Sequence, residues 1–145
     1  MVHTDDNQGW SGEVLAVADS WRGPYRVTVP DGAINNEPKK QEDPTMWRDA
    51  RGNWHTLVHL MFDPPGAGPC GLWSGGHMFS RDGTSWSPIY RAYNTTIALQ
   101  GGSITVQRRE RPKLIFDANG TPTHLYNGAI TDSNGVYTVV APLQL

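Results

Sequence analysis

The sequence predicts an all-β fold, and three observations lead to that prediction. The 145-residue chain contains 16 Gly, 11 Pro and 6 Trp, a composition rich in turn formers and large rings. No long window shows helical spacing of apolar residues, whereas short runs of β-branched and aromatic residues lie between Gly and Pro clusters. Only 18% of the residues are charged. Short strands joined by tight turns explain this pattern better than a helical bundle does.

The charge pattern argues against a nucleic-acid partner, and the lengths of the apolar runs argue against a membrane partner. The formal net charge is −2, and the densest basic stretch, residues 108–111, is interrupted by an acid. No apolar run approaches the ~20 residues that a membrane-spanning helix needs. The N-terminus lacks the regions of a signal peptide, so the compartment stays unknown, with secretion of a full-length form left open. A single cysteine, Cys70, excludes an intrachain disulfide.

A weak internal repeat with an offset of about 68 residues runs through the chain. Residues 42–52 read Glu-Asp-Pro-Thr-Met-Trp-Arg-Asp-Ala-Arg-Gly, and residues 110–120 read Glu-Arg-Pro-Lys-Leu-Ile-Phe-Asp-Ala-Asn-Gly. The gapless alignment continues until His59 falls on Asn127. Each copy predicts a hairpin, because a short apolar strand enters an Asp-Ala-x-Gly turn and a second strand returns.

Further strand and turn signals surround the two hairpins. Residues 75–86 end in Ser-x-Asp-Gly-x-x-Trp, which is similar to the Asp-box turn of sialidase-type propellers. Residues 14–25 show the same order of strand and turn signals. A four-stranded unit that recurs in this way is typical of a propeller blade. We therefore predict a partial β-propeller of about two and a half four-stranded blades over residues 12–145, after a polar N-terminal tail at residues 1–11. A β-sandwich with accidental self-similarity is the alternative.

Several motifs follow one another along the chain. They are, in order, Glu42-Asp43-Pro44-x-x-Trp47, Gly75-Gly76-His77, Ser80-x-Asp82-Gly83-x-x-Trp86 and Glu110-Arg111-Pro112-x-Leu114-x-Phe116-Asp117. Their order and spacing resemble those of the five-bladed β-propeller glycoside hydrolases, the arabinanase/xylosidase and invertase-like superfamily. The resemblance covers residues 12–145 and only the C-terminal portion of those propellers. It implies a domain that acts on or binds carbohydrate.

The resemblance also implies catalytic roles for two residues. In those enzymes three carboxylates begin the inner strands of successive blades and face one another at the propeller axis. Asp43 matches the second-blade Asp that supports the transition state, and Glu110 matches the third-blade Glu that acts as general acid. We expect their carboxyl groups to lie in one cleft, roughly 6.5 to 9.5 Å apart, as in an inverting pair. Glu42 has the repeat position of Glu110, so a structural Glu-x-Pro shared by both blades is the alternative.

Three further residues are candidates for substrate binding. Arg111 could orient Asp43 or bind a substrate hydroxyl. Trp47 could stack on a sugar ring, although Trp residues of propellers mostly pack between blades. His77 follows two glycines and could reach the axis, with a packed core histidine as the alternative.

The sequence predicts no cofactor and no metal site. It contains no phosphate loop, no Gly-x-Ser-x-Gly and no Cys/His nucleophile pair. His55, His59 and His124 show no zinc spacing. His55 and His59 share one strand face but lie about 13 Å apart, too far to hold one ion together.

Two hypotheses from different classes follow. The first is a glycoside-hydrolase-like domain, inverting if a third carboxylate is supplied. The second is a non-catalytic glycan-binding or structural propeller fragment, because no inner-strand signal for a first-blade carboxylate precedes Gly12. Either way, incomplete propellers leave apolar blade faces uncovered. We therefore expect a homo-oligomer or part of a longer chain.

Overall fold

The computed structural model describes residues 2–5, 12–29, 41–61, 74–132 and 135–143, and for residues 2–5, 12 and 29 it describes the backbone alone. This part of the chain folds into twelve β-strands without a helix, which confirms the all-β prediction. No helix within the described ranges is long and apolar enough to cross a membrane.

The strands form four antiparallel sheets with simple neighbour-to-neighbour order. The strands are β1 Val2–Asp5, β2 Gly12–Val17, β3 Arg26–Val29, β4 Gln41–Arg48, β5 Trp54–Leu60, β6 Ser74–Ser80, β7 Tyr90–Tyr93, β8 Thr96–Leu99, β9 Gly102–Thr105, β10 Arg108–Phe116, β11 Pro122–Ile130 and β12 Val136–Pro142. The sheets are β1-β2-β3, β4-β5-β6-β7, β8-β9 and β10-β11-β12. Strand β1 lies within residues 1–11, the predicted polar tail, and pairs with β2.

The two copies of the repeat fold as similar hairpins, β4-β5 and β10-β11, and the second has an additional register shift between Ile115 and Phe116. In each turn one Asp oxygen accepts hydrogen bonds from the amides two and four residues ahead. The distances are 3.0 and 2.8 Å for Asp49 and 2.8 and 2.9 Å for Asp117. Gly52 and Gly120 close the turns at φ +89° and +78°, a conformation that favours glycine.

The first strand of each hairpin carries a β-bulge at the same repeat position. Pairing shifts between Glu42 and Thr45 in β4, and between Glu110 and Lys113 in β10. Within the bulges Asp43 and Arg111 have φ values of +58° and +53°, the left-handed region that side chains other than glycine rarely adopt. The two strands begin at Gln41 and Arg108, because pairing resumes on the far side of each bulge.

The predicted Ser-x-Asp-Gly-x-x-Trp turn is also present. The Asp82 carboxylate accepts hydrogen bonds from the amides of Thr84 and Ser85 at 2.7 and 2.8 Å. These backbone donors, that of Ser85 foremost, hold the pKa of Asp82 well below its ordinary value. Ser80 pairs with Trp86 across the turn, and Trp86 packs against the core.

The four-stranded sheet is covered on both faces. The face toward β2 carries the larger core, made of Leu15, Val58, Leu60, Met78 and Ile89. The other face meets β10, which contacts β4, β5 and β6. Because β5 is paired on both edges and covered on both faces, its residues 56–60 are all buried. A smaller core of Ile97, Val106 and Ala129 joins the last two sheets.

Candidate functional site

Four side chains with acid-base or ligand chemistry meet where β10 packs on β4 and β5. They are Glu42 and Asp43 of β4, His59 of β5 and Glu110 of β10. One oxygen or nitrogen atom of each lies within 4.8 Å of the others. His59 and Glu110 are buried, whereas Glu42 and Asp43 are partly buried. We call this group the carboxylate cluster.

The paired bulges bring the cluster together. Glu42 lies opposite His59 at the edge of the first bulge, and Glu110 occupies the equivalent place in the second. Direct contacts join the bulges: the Thr45 hydroxyl donates to the Pro112 carbonyl oxygen and accepts a 2.8 Å hydrogen bond from the Lys113 ammonium. The cluster therefore depends on the repeat, because each copy contributes a glutamate at the same repeat position, Glu42 or Glu110.

Asp43 and Glu110, the two candidate catalytic residues, both lie in the carboxylate cluster. Their spacing of at most 4.8 Å is shorter than expected. It leaves less room than the roughly 6.5 to 9.5 Å that separates an acid from a base with a water molecule between them. The close contact between the bulges accounts for the difference. Asp43 is therefore placed as a neighbour of Glu110 and not across a substrate from it.

Glu42 and Glu110 each have a defined polar contact. The Glu42 Oε1 atom lies 3.0 Å from His59 Nδ1, whose side chain is fully buried. Arg111 donates a 2.6 Å hydrogen bond to Glu110 Oε2, so Arg111 contacts Glu110 in this structure. The Glu110 side chain is 6% exposed and that of Arg111 is 65% exposed. The other Glu110 oxygen, Oε1, is buried without a hydrogen-bond partner among the described residues.

A second polar group supports β10 beneath the cluster. Asn127, the repeat equivalent of His59, accepts a 2.9 Å hydrogen bond from Arg109 and donates one of 2.9 Å to the Tyr93 hydroxyl. The Arg109 guanidinium lies 4.6 Å from the Tyr93 ring centroid. Burial raises the pKa of Tyr93 and lowers that of Arg109. These contacts fix the strand that carries Glu110.

Trp47 and His77 lie outside the carboxylate cluster. Trp47 pairs with His55, four residues from the His59 that faces Glu42, which puts it about 13 Å along the sheet from the cluster. Its ring stacks on His55 at 4.9 Å and on His77 at 5.8 Å. The structure thus groups the two predicted substrate contacts with each other, and their role in substrate binding stays a prediction.

The two histidines beneath Trp47 contact each other, and one of them lies beside an acid. His55 Nδ1 lies 3.0 Å from His77 Nε2, and His55 Nε2 lies 3.4 Å from the Asp49 carboxylate. Burial, and secondly His55, lower the pKa of His77 from 6.5 to about 4. Between these two pH values the His77 side chain binds more protons in the unfolded chain than in the folded one. The folded state therefore loses stability as the pH falls from 6.5 toward 4.

Glu42 and His59 were absent from the predicted site, although the repeat contained the signal. Glu42 shares its phase with Glu110, and His59 follows Glu42 at the interval that separates Asn127 from Glu110. The expectation of no metal site stays a prediction. His59 is too far from His55 to share an ion with it, but it meets three carboxylates instead.

No protein-family model and no curated protein matches the sequence. Among solved structures, the chain is similar to the crystal structure of an endo-arabinase from Bacteroides thetaiotaomicron VPI-5482, with a TM-score of 0.58 and 16% sequence identity. The likeness shows a propeller-like all-β fold. It covers 97% of this chain and 51% of the endo-arabinase, so the chain spans about half the length of the structure it matches.

Proposed function

We propose that the chain is a glycoside-hydrolase-like propeller domain, of about two and a half four-stranded blades, that acts on or binds carbohydrate at the carboxylate cluster. The observation that carries the proposal is the meeting of Asp43 and Glu110 within 4.8 Å from the bulges of two repeat copies. Paired carboxyl groups are the chemistry that glycosidic bond cleavage requires. The likeness to an endo-arabinase supports carbohydrate as the class of ligand.

The contacts of the cluster suggest a division of roles. Glu110 is the general acid: when protonated, its buried carboxyl would donate to the departing glycosidic oxygen. Asp43 would stabilise the positive charge that develops on the sugar carbon. Arg111, with its exposed side chain, orients Glu110 and has donors left for a sugar hydroxyl. An inverting reaction further needs a base, supplied by a third carboxylate farther from Glu110.

Polymers of arabinose are the first substrates to test. The wild-type chain should release reducing ends from such a polymer, or bind it, and Asp43→Asn should lower either effect at least tenfold, since it removes one charge of the cluster. Asp117→Asn is the matched control, because it makes the same change in an exposed turn. The proposal fails if no polysaccharide of a broad panel is bound or cleaved, or if both variants behave alike.

A non-catalytic glycan-binding or structural fragment is the second candidate. The observation that favours it is the length of the chain, which covers 51% of the endo-arabinase. Binding without cleavage, lost in Asp43→Asn and kept in Asp117→Asn, would select this candidate over the hydrolase.

We further propose that the chain pairs with a second copy to complete the ring of blades, unless more of its own chain does so. Strand β12 exposes apolar side chains, with Val136 and Tyr137 exposed by 75% and 58%. Residues of β8, β9 and β12 line a neighbouring apolar groove. Sedimentation equilibrium should therefore give a dimer. A cooperatively melting monomer at low micromolar concentration would contradict the incomplete propeller and favour the β-sandwich.

A further inference from the structure

We infer that Glu42, Asp43, His59 and Glu110 form a binding site for one divalent transition-metal cation of the Zn²⁺ type. This inference goes beyond the proposed function, because it gives the carboxylate cluster a ligand other than carbohydrate. The two describe different states of the cluster, since Glu110 must be deprotonated to bind the cation and protonated to act as an acid. The inference rests on the spacing of the donor atoms, on an unsatisfied buried oxygen, on the charge balance and on the mixture of donor types.

The spacing of the four donor atoms is close to that of a coordination sphere. Zn²⁺ binds carboxylate oxygen and imidazole nitrogen at about 2.0 to 2.2 Å in tetrahedral geometry, so its ligand atoms are about 3.4 Å apart. The cluster atoms lie within 4.8 Å of one another before any ion is considered. Shifts of up to about 1.4 Å, which side-chain rotations of the partly buried Glu42 and Asp43 can supply, would close the sphere.

Glu110 provides an independent observation. Its side chain is only 6% exposed, and its Oε1 atom has no hydrogen-bond partner among the described residues. A buried carboxylate oxygen without a partner is costly, and such groups in folded proteins are generally satisfied by a donor or an ion. Arg111 engages only the other oxygen of the same carboxylate.

The charge balance of the cluster points the same way. Three carboxylates converge, and like charges at this distance repel strongly inside a protein. The Arg111 side chain is 65% exposed, so water screens much of its charge. A dication among the four donors would offset the repulsion directly.

The donor types select the kind of cation. Ca²⁺ and Mg²⁺ prefer shells made of oxygen alone, whereas an imidazole joined with carboxylates suits Zn²⁺ and related transition metals. His59 supplies that nitrogen from a fully buried position, 3.0 Å from Glu42. The cation would bind between these two side chains, where His59 must be in its neutral form to act as a ligand.

Calorimetric titration of the chelator-treated full chain with ZnCl₂, and separately with CaCl₂, tests the inference. We expect one Zn²⁺ per chain, at least tenfold tighter binding of Zn²⁺ than of Ca²⁺, and at least tenfold weaker Zn²⁺ binding in His59→Asn and in Asp43→Asn. His59→Asn introduces the residue that the other repeat copy has at this position, Asn127. The matched controls, His124→Asn and Asp117→Asn, should bind Zn²⁺ as the wild type does.

Three results would overturn the inference: no stoichiometric Zn²⁺ binding, equal affinities for Zn²⁺ and Ca²⁺, or equal Zn²⁺ affinities in cluster and control variants. Circular dichroism establishes that each variant is folded, and Asp43→Asn decides the matter if the buried His59→Asn does not fold. No sugar enters the measurement. A failure to cleave or bind glycans therefore leaves this test intact, and a failure to bind Zn²⁺ leaves the proposed function intact.

Discussion

Glu110→Gln should lower the cleavage of unactivated glycosidic bonds by about 10²- to 10⁴-fold, the usual contribution of a positioned general acid. The substitution is nearly isosteric and keeps a hydrogen-bonding group beside Arg111, so the fold should survive. Glycosides with a nitrophenolate leaving group need little protonation. Their cleavage should fall much less, and this difference between substrates is the signature of a lost acid.

Glu42→Gln is the matched comparison, because Glu42 has the same repeat position as Glu110 and the same side chain. It should lower cleavage less, and without the dependence on the leaving group. Rates on polymeric and nitrophenyl substrates, measured for both variants, decide the assignment. Equal losses on both substrates in Glu110→Gln, or a larger leaving-group effect in Glu42→Gln, would show that Glu110 is not the acid.

Gly75→Ala should destabilise the chain by about 1 to 3 kcal/mol, the usual cost of overpacking. A Cβ atom at Gly75 would lie 2.0 Å from the nearest atom of the Tyr93 ring. The ring cannot easily yield, because its hydroxyl is bonded to Asn127 and its face carries the Arg109 guanidinium. Displacing it would also remove contacts that support β10.

Gly102→Ala is the control for this prediction. Gly102 lies in β9 without a positive φ, and a Cβ atom there would meet nothing within 4 Å. Its stability should stay within about 0.5 kcal/mol of the wild type. Urea unfolding of both variants measures the difference in the free energy of unfolding. Similar stabilities for the two variants would mean that the Tyr93 ring is not held against Gly75.

Features fixed by neighbouring residues could be predicted from the sequence. The turns at Asp49, Asp82 and Asp117 follow from local hydrogen bonds between side chain and backbone, so their composition is sufficient to indicate them. The repeat revealed the two equivalent hairpins. Because equivalent strands of a repeat lie side by side, Asp43 and Glu110 could also be expected in one place.

Features that depend on strand pairing could not be predicted in the same way. A bulge adds one residue opposite a partner strand, and the Asp43-Pro44 sequence alone does not indicate where the strand register shifts. The short distance between the acids and the presence of His59 both follow from those shifts. Trp47 and His77 were assigned by motif, yet their position depends on how β4 lies against β5 and β6.

The left-handed backbone at Asp43 and Arg111 has an evolutionary consequence. Each such residue costs of order 1 to 3 kcal/mol, which is a sizeable share of the ~5 to 15 kcal/mol by which domains are stable. Glycine at either position would remove that strain. Lineages under selection for folding alone should therefore drift toward glycine at residues 43 and 111. Among descendants of this chain, side chains other than glycine at both positions would therefore mark the proteins that have kept their function.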